Sequence, residues 1–218
     1  MTATSGSNPG SSAPAAAALA RRLKGMNLYL VGMMGTGKSA TGRPLAEALG
    51  YRFLDADQEL EKAAGCSIAE IFASQGEEGF RALETATLQV LAQLHSCVVA
   101  TGGGVVTRPQ NWGQLHQGVV IWLDAPEALL LERLRADATP RPLLRSDDPA
   151  ARLRELLERR RPLYAQADLT LHQHGEPPAR VAERILEALP TILRQPDAPP
   201  DGTLQVQHRD GRSSPSIN

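Results

Sequence analysis

The eight residues Gly32-Met33-Met34-Gly35-Thr36-Gly37-Lys38-Ser39 constrain this chain more than any other segment. They satisfy G-x-x-x-x-G-K-[ST] at every fixed position, behind a β-rich run at 27–31 and ahead of a helical pattern at 38–49. Glycines let a backbone close around phosphate so that several N–H groups point inward. The following helix adds the positive end of its dipole to the same place. Lys38 is placed to reach the β- and γ-phosphates of a nucleotide, and the Ser39 hydroxyl to take a position on Mg²⁺. A nucleoside-triphosphate site is therefore expected, and no N-K-x-D run is present to read guanine.

The totals narrow the partners. With 218 residues, the chain holds one α/β domain plus tails. A net charge of −1 gives no sign of nucleic-acid binding or attraction to an anionic membrane. No apolar run approaches the roughly 18 residues of a membrane span. Cys66 and Cys97 are too few for a disulfide framework or a zinc site, and are expected to be reduced and structural.

Short β-rich runs alternate with longer helical patterns, which predicts a parallel sheet with helices on both faces. Strands are expected at 27–31, 51–54, 96–100, 118–123 and 168–172, and helices at 38–49, 79–95, 126–135, 149–167 and 179–193. Ser67-Ile68-Ala69-Glu70 reads as a capping box opening a further helix, and Pro162 is expected to kink or break the helix that contains it. Residues 1–25, rich in Ala, Ser, Gly and Pro, are expected to form a disordered extension. Residues 194–218 are expected to be a disordered tail, leaving 26–193 as the folded domain.

Five further features choose the chemistry. Asp55 and Asp57, at the end of the second strand, project to one side if both are on the strand. Asp55 suits Mg²⁺ through water, and Asp57 suits a substrate hydroxyl, whose proton a carboxylate there can accept. Arg81 and Glu84, one helical turn apart in Phe80-Arg81-Ala82-Leu83-Glu84, can pair and so aim the guanidinium at a substrate carboxylate. Thr101-Gly102-Gly103-Gly104 at a strand end would let a ligand lie against bare backbone. Arg141, in Arg141-Pro142-Leu143-Leu144, sits in a loop of lid length at about 136–149 and suits charge on a transferring phosphoryl group. Arg159-Arg160-Arg161 face three directions on a helix, so one or two of them can enter a cleft.

In order, GMMGTGKS, DAD, FRALE, TGGG, RPLL and RRPLY resemble the motif series of the shikimate kinase family over nearly all of 27–193. The resemblance implies a five-stranded parallel sheet of the nucleoside-monophosphate-kinase type, a P-loop NTPase fold with strand order 2-3-1-4-5. It implies in-line transfer of the ATP γ-phosphoryl group to a shikimate hydroxyl, with Lys38, Asp57 and Arg141 catalytic. Gly35, Thr36, Gly37, Lys38, Ser39, Ala40 and Arg141 would bind ATP, and Asp57, Arg81, Gly103 and Arg160 would bind shikimate. Mg²⁺ would sit on Ser39 with Asp55 in its outer shell, and Arg133 and Arg135 flank the place where family members stack an arginine on adenine.

Two other readings compete: another small P-loop kinase such as gluconate kinase, and a shikimate-kinase-like binding protein that has lost catalysis. A monomer in the cytoplasm is expected, or in the plastid stroma if the N-terminal segment is a cleaved transit peptide.

Overall fold

In the computed structural model, residues 12–137, 142–144 and 148–193 are described. Arg141 and much of the expected lid lie outside them, as do 1–11 and the expected tail at 194–218.

Five parallel strands, β1 Leu28–Val31, β2 Arg52–Asp55, β3 Cys97–Ala100, β4 Val119–Asp124 and β5 Leu169–His172, lie in the order 2-3-1-4-5. The central strand β1 pairs with β3 (Leu30 opposite Ala100) and with β4 (Val31 opposite Trp122). With a helix on each side, a parallel sheet of this kind buries both faces, and β1 and β3 are buried at every position. Asn27 starts β1 from a buried position, donating to Leu94 O (2.7 Å) while its Oδ1 accepts from Cys97 N (3.0 Å).

Around the sheet run α1 Ser12–Leu23, α2 Lys38–Leu49, α3 Ala56–Ala64, α4 Ile68–Ala92, α5 Pro109–Leu115, α6 Glu127–Ala136, α7 Pro149–Tyr164 and α8 Pro178–Ile192. One face of the sheet packs on α1, α2 and α8 through Leu19, Leu23, Leu45, Leu49, Ile185 and Leu189. The other packs on α4, α5 and the end of α7 through Leu88, Leu91, Trp112 and Tyr164.

Three expectations change. The N-terminal segment is not disordered from residue 12 onward: α1 buries Ala16, Leu19 and Leu23, and Arg22 Nη2 donates to Leu193 O (3.1 Å) at the end of α8. The spacing Ala16, Leu19, Ala20, Leu23 is an i, i+3, i+4, i+7 stripe inside an alanine-rich background. The capping box at Ser67 and Glu70 forms and the two helices expected at 67–95 are both present, but they meet directly at a break at Gly76 (φ 69°, ψ −172°) and the second ends at Ala92. Pro162 lies inside α7, which continues to Tyr164.

Candidate active site

The phosphate loop joins β1 to α2, and Gly37, at the N-cap of α2, has φ 80°, a left-handed conformation that glycine adopts without strain. Thr36 is buried and its hydroxyl donates to Met33 O (2.8 Å), which closes the loop on itself. Lys38 Nζ donates to Gly32 O (2.8 Å) and Met33 O (3.0 Å), folding the ammonium back across the loop. Gly35, Ser39 and Ala40 follow the same turn into α2, with Ala40 exposed.

Two residues brace this loop: Gln173, which the sequence reading passed over, and Arg133, which it named only near the adenine place. Gln173, buried at the end of β5, donates through Nε2 to Thr36 O (2.7 Å). Its Oε1 accepts from Arg133 Nη1 (3.2 Å), which also donates to Gly35 O (3.2 Å). Arg133 therefore reaches the nucleotide loop, whereas Arg135 is exposed.

Ser39 Oγ donates to Asp55 Oδ2 at 2.5 Å, so the two side chains expected around a metal are in contact. Asp55 also caps α3, its Oδ1 accepting from Asp57 N (3.1 Å) and Gln58 N (3.4 Å). Asp57 is thus not a strand residue but lies in the first turn of α3. The i, i+2 strand argument gives the right neighbourhood by the wrong geometry, because the cap turns the chain between the two aspartates.

These residues line one cleft of about 570 Å³, together with Met34, Gly102, Gly103, Gly104, Arg81, Glu84, Leu143 and Arg160. Asp57 is pushed up to about 6 from a usual value near 3.8, chiefly by burial. The Glu84 and Asp55 charges add to that, and Lys38 opposes it.

Arg81 and Glu84 are both buried and pair at 2.7 Å, with Glu77 3.2 Å from the other arm of the guanidinium. Glu84 Oε1 has no hydrogen-bond partner among the described residues. The glycine run is explained by these side chains. A Cβ on Gly102 would collide with Glu84 Oε1 and stand 2.9 Å from Asp57 Oδ1, and one on Gly104 would overlap the Arg81 guanidinium. Two of the three glycines therefore make room for protein groups, and all three line the cleft. Gly103 approaches the phosphate loop, where its Cβ would lie 3.3 Å from Met34 N.

Of the three successive arginines, Arg160 is the buried one, at 4% exposure. Its Nη1 donates to Gly103 O (3.2 Å), and Tyr164 Oη donates to the same oxygen at 2.5 Å. Burial pushes the Tyr164 phenol up to about 12, which keeps it a neutral donor. The ring stacks on Trp122 with centroids 5.7 Å apart, so a buried aromatic pair holds the carbonyl that orients Arg160. Arg161 turns away to Asp124 (3.5 Å), and Arg159 is exposed.

The cleft thus joins a phosphate loop, a carboxylate pair at the sheet edge and two buried arginines. That is the constellation of a phosphoryl transferase acting on an anionic, hydroxylated acceptor.

Comparison with known proteins agrees. Residues 34–190 match the family described as shikimate kinase. The chain is 62% identical over 181 residues to a shikimate kinase of Synechococcus sp. (strain RCC307), covering 83% of this chain and 93% of that one. It is 52% identical over 183 residues to one of Prochlorococcus marinus (strain MIT 9313), covering 84% and 95%. Among solved structures, shikimate kinase from Acinetobacter baumannii in complex with shikimate superposes with a TM-score of 0.76 at 40% identity, covering 79% of this chain and 97% of that one. A gluconokinase from Sinorhizobium meliloti 1021, at 18% identity and a TM-score of 0.52, covers 77% and 93% and shares the fold alone. The chain belongs to the shikimate kinase family.

Proposed function

We propose that this cleft transfers the γ-phosphoryl group of Mg·ATP to the 3-hydroxyl of shikimate, giving shikimate 3-phosphate and ADP. The observation that carries the acceptor is Arg160. It is buried, yet its partners are a backbone carbonyl and the Met33 sulfur (4.0 Å), with no carboxylate in ion-pair range among the described residues. Glu84 acts on this guanidinium only at a distance, so its N–H donors suit a further anion, and a substrate carboxylate held by Arg160 and Arg81 supplies it. The acceptor oxygens Asp57 and Glu84 Oε1 in the same cleft suit the hydroxyls of a polyol.

In this reading Gly35, Thr36, Gly37, Lys38, Ser39 and Ala40 bind the phosphates, with Gln173 and Arg133 keeping the loop in shape. Asp57 accepts the proton of the attacking hydroxyl as its bond to phosphorus forms, and its raised basicity makes it a stronger base than an ordinary carboxylate while leaving it mostly ionised above about pH 6. Lys38 leaves the Gly32 and Met33 carbonyls for the β- and γ-phosphates. Arg141, from the loop at 136–149, neutralises charge on the phosphoryl group and completes a closure that excludes water. Ser39 Oγ and Asp55 Oδ2 form a pair of hard oxygen donors, which fits a Mg²⁺ that otherwise keeps water and phosphate ligands. When bound, that ion offsets charge on the β- and γ-oxygens. A monomer acting in the cytoplasm is the accompanying reading.

The test is ADP release with Mg·ATP and shikimate, gluconate, AMP or no acceptor. Turnover with shikimate alone is expected. Turnover with a different acceptor alone would replace the substrate, and ATP binding without any turnover would mean a binding protein.

A further inference from the structure

A second cavity, of about 460 Å³, lies against the first and shares Arg81 and Arg160 with it. Its other walls are Glu77 and Glu78 of α4, Thr107 and Arg108 beyond the glycine run, and Arg152, Leu156, Arg159 and Leu163 of α7. The α7 residues, with Arg160, follow an i, i+4, i+7, i+8, i+11 spacing that places them on one helix face. Five arginines thus meet two glutamates along the lining.

Their ion pairs leave cationic charge over. Arg152 and Arg159 divide one carboxylate, Glu155, at 2.6 and 3.6 Å. Arg108 pairs with Glu78, and Arg81 with Glu77 and Glu84. Arg160 takes no carboxylate among the described residues. Ion pairs as exposed as those of Arg152, Arg159 and Glu155 contribute little, so exchanging them for a ligand's charges costs little. Leu156 and Leu163 give the cavity an apolar strip for a carbon skeleton.

We propose that this outer cavity binds a small organic polyanion, bearing several carboxylate or phosphate groups, and that its occupancy opposes binding of the substrate carboxylate. Coupling follows from the shared wall. A guanidinium has a fixed set of N–H donors, and those of Arg81 and Arg160 drawn outward are lost to the inner cleft. Arg152 adds a second link, because its Nε donates to Leu143 O (3.5 Å) and Leu143 lines the inner cleft. By linkage, substrate weakens the outer ligand by the same factor. The coupling half of the proposal rests on Arg81 and Arg160 holding substrate, whereas the site itself does not.

The probe is tricarballylate, a tricarboxylate, titrated calorimetrically into the full chain at constant ionic strength, with ADP filling the phosphate loop. Saturable binding is expected, weakened at least about fivefold by saturating shikimate. The same binding should weaken about tenfold or more in Arg108→Gln/Arg159→Gln, a variant that keeps shikimate affinity within about twofold of the parent. Arg159→Glu, which leaves the Arg108–Glu78 pair intact, should show the same direction and guards against misfolding of the double variant. No saturable heat beyond a sodium chloride control would overturn the proposal. So would equal affinity in parent and variants, which would put the probe in the substrate cleft. Binding that depends on Arg108 and Arg159 in a chain that fails to bind shikimate would support the site while removing the functional reading.

Discussion

The guanidinium of Arg81 occupies the space in which any side chain at Gly104 would have to stand. Twenty-three positions apart in sequence, the two fit because Glu84 and Glu77 hold the arginine from one side and the glycine leaves the other open. Gly104→Ala should therefore displace a substrate clamp without touching the nucleotide. The expected result is a rise in KM for shikimate of about tenfold or more, with KM for ATP within about twofold, measured by steady-state kinetics. Equal losses toward both substrates would point to general collapse of the sheet edge.

Asp57 titrates at about 6 in the folded chain, above its usual value near 3.8, so the folded state holds this proton more tightly than the unfolded one. The resulting penalty is fully present above about 6 and fades as pH falls toward the unfolded value. Allowing for partial exposure in the cleft, it is on the order of 2 kcal/mol. Asp57→Asn should then be more stable than the parent at pH 7.5 in urea unfolding, and the two should converge near pH 4. Catalysis carries the opposite sign: kcat/KM should fall about tenfold per pH unit below roughly 6, as the base gains its proton. A flat profile down to pH 5 would remove Asp57 as base.

Asp55 has two duties, capping α3 through Oδ1 and accepting from Ser39 through Oδ2. Asn keeps an oxygen for the cap and removes the charge. Asp55→Asn should hold its melting temperature within a few degrees of the parent while the Mg²⁺ concentration for half-maximal rate rises about tenfold. A magnesium dependence equal to the parent's would exclude Asp55 from the metal's surroundings.

Helix α1 belongs to the folded core, with Leu23 fully buried against the cluster formed by α2 and α8. Leu23→Ala should cost about 2–4 kcal/mol of unfolding free energy, with kcat unchanged at 25 °C. A change below 0.5 kcal/mol would mean that the helix is peripheral.

How much of this was legible follows from the range of each signal. The phosphate loop, the parallel sheet and the Arg81–Glu84 pair were readable, because glycine spacing, alternation of elements and one helical turn are local patterns, whereas the strand order came only with the family resemblance. Helix α1 was missed because its four-residue apolar stripe is half alanine and lies in a segment, 1–25, whose Ala, Ser, Gly and Pro content suggests disorder. Gln173 and Tyr164 act on Thr36 and Gly103 across 137 and 61 residues of chain, and such contacts exist only once the sheet is assembled. Gly102 and Gly104 were noticed as backbone open to a ligand, but the room that they leave for groups of α3 and α4 follows only from the assembled fold.

The central claim is that Asp57 and Arg81 act on the acceptor and leave the nucleotide alone. It is tested most directly by shikimate-dependent ADP release in Asp57→Asn and Arg81→Ala, with ATP affinity measured on the same preparations. Turnover should fall by at least about a hundredfold in each while ATP affinity stays within about twofold. Near-parental turnover in either variant, or loss of ATP binding in step with turnover, would contradict the account.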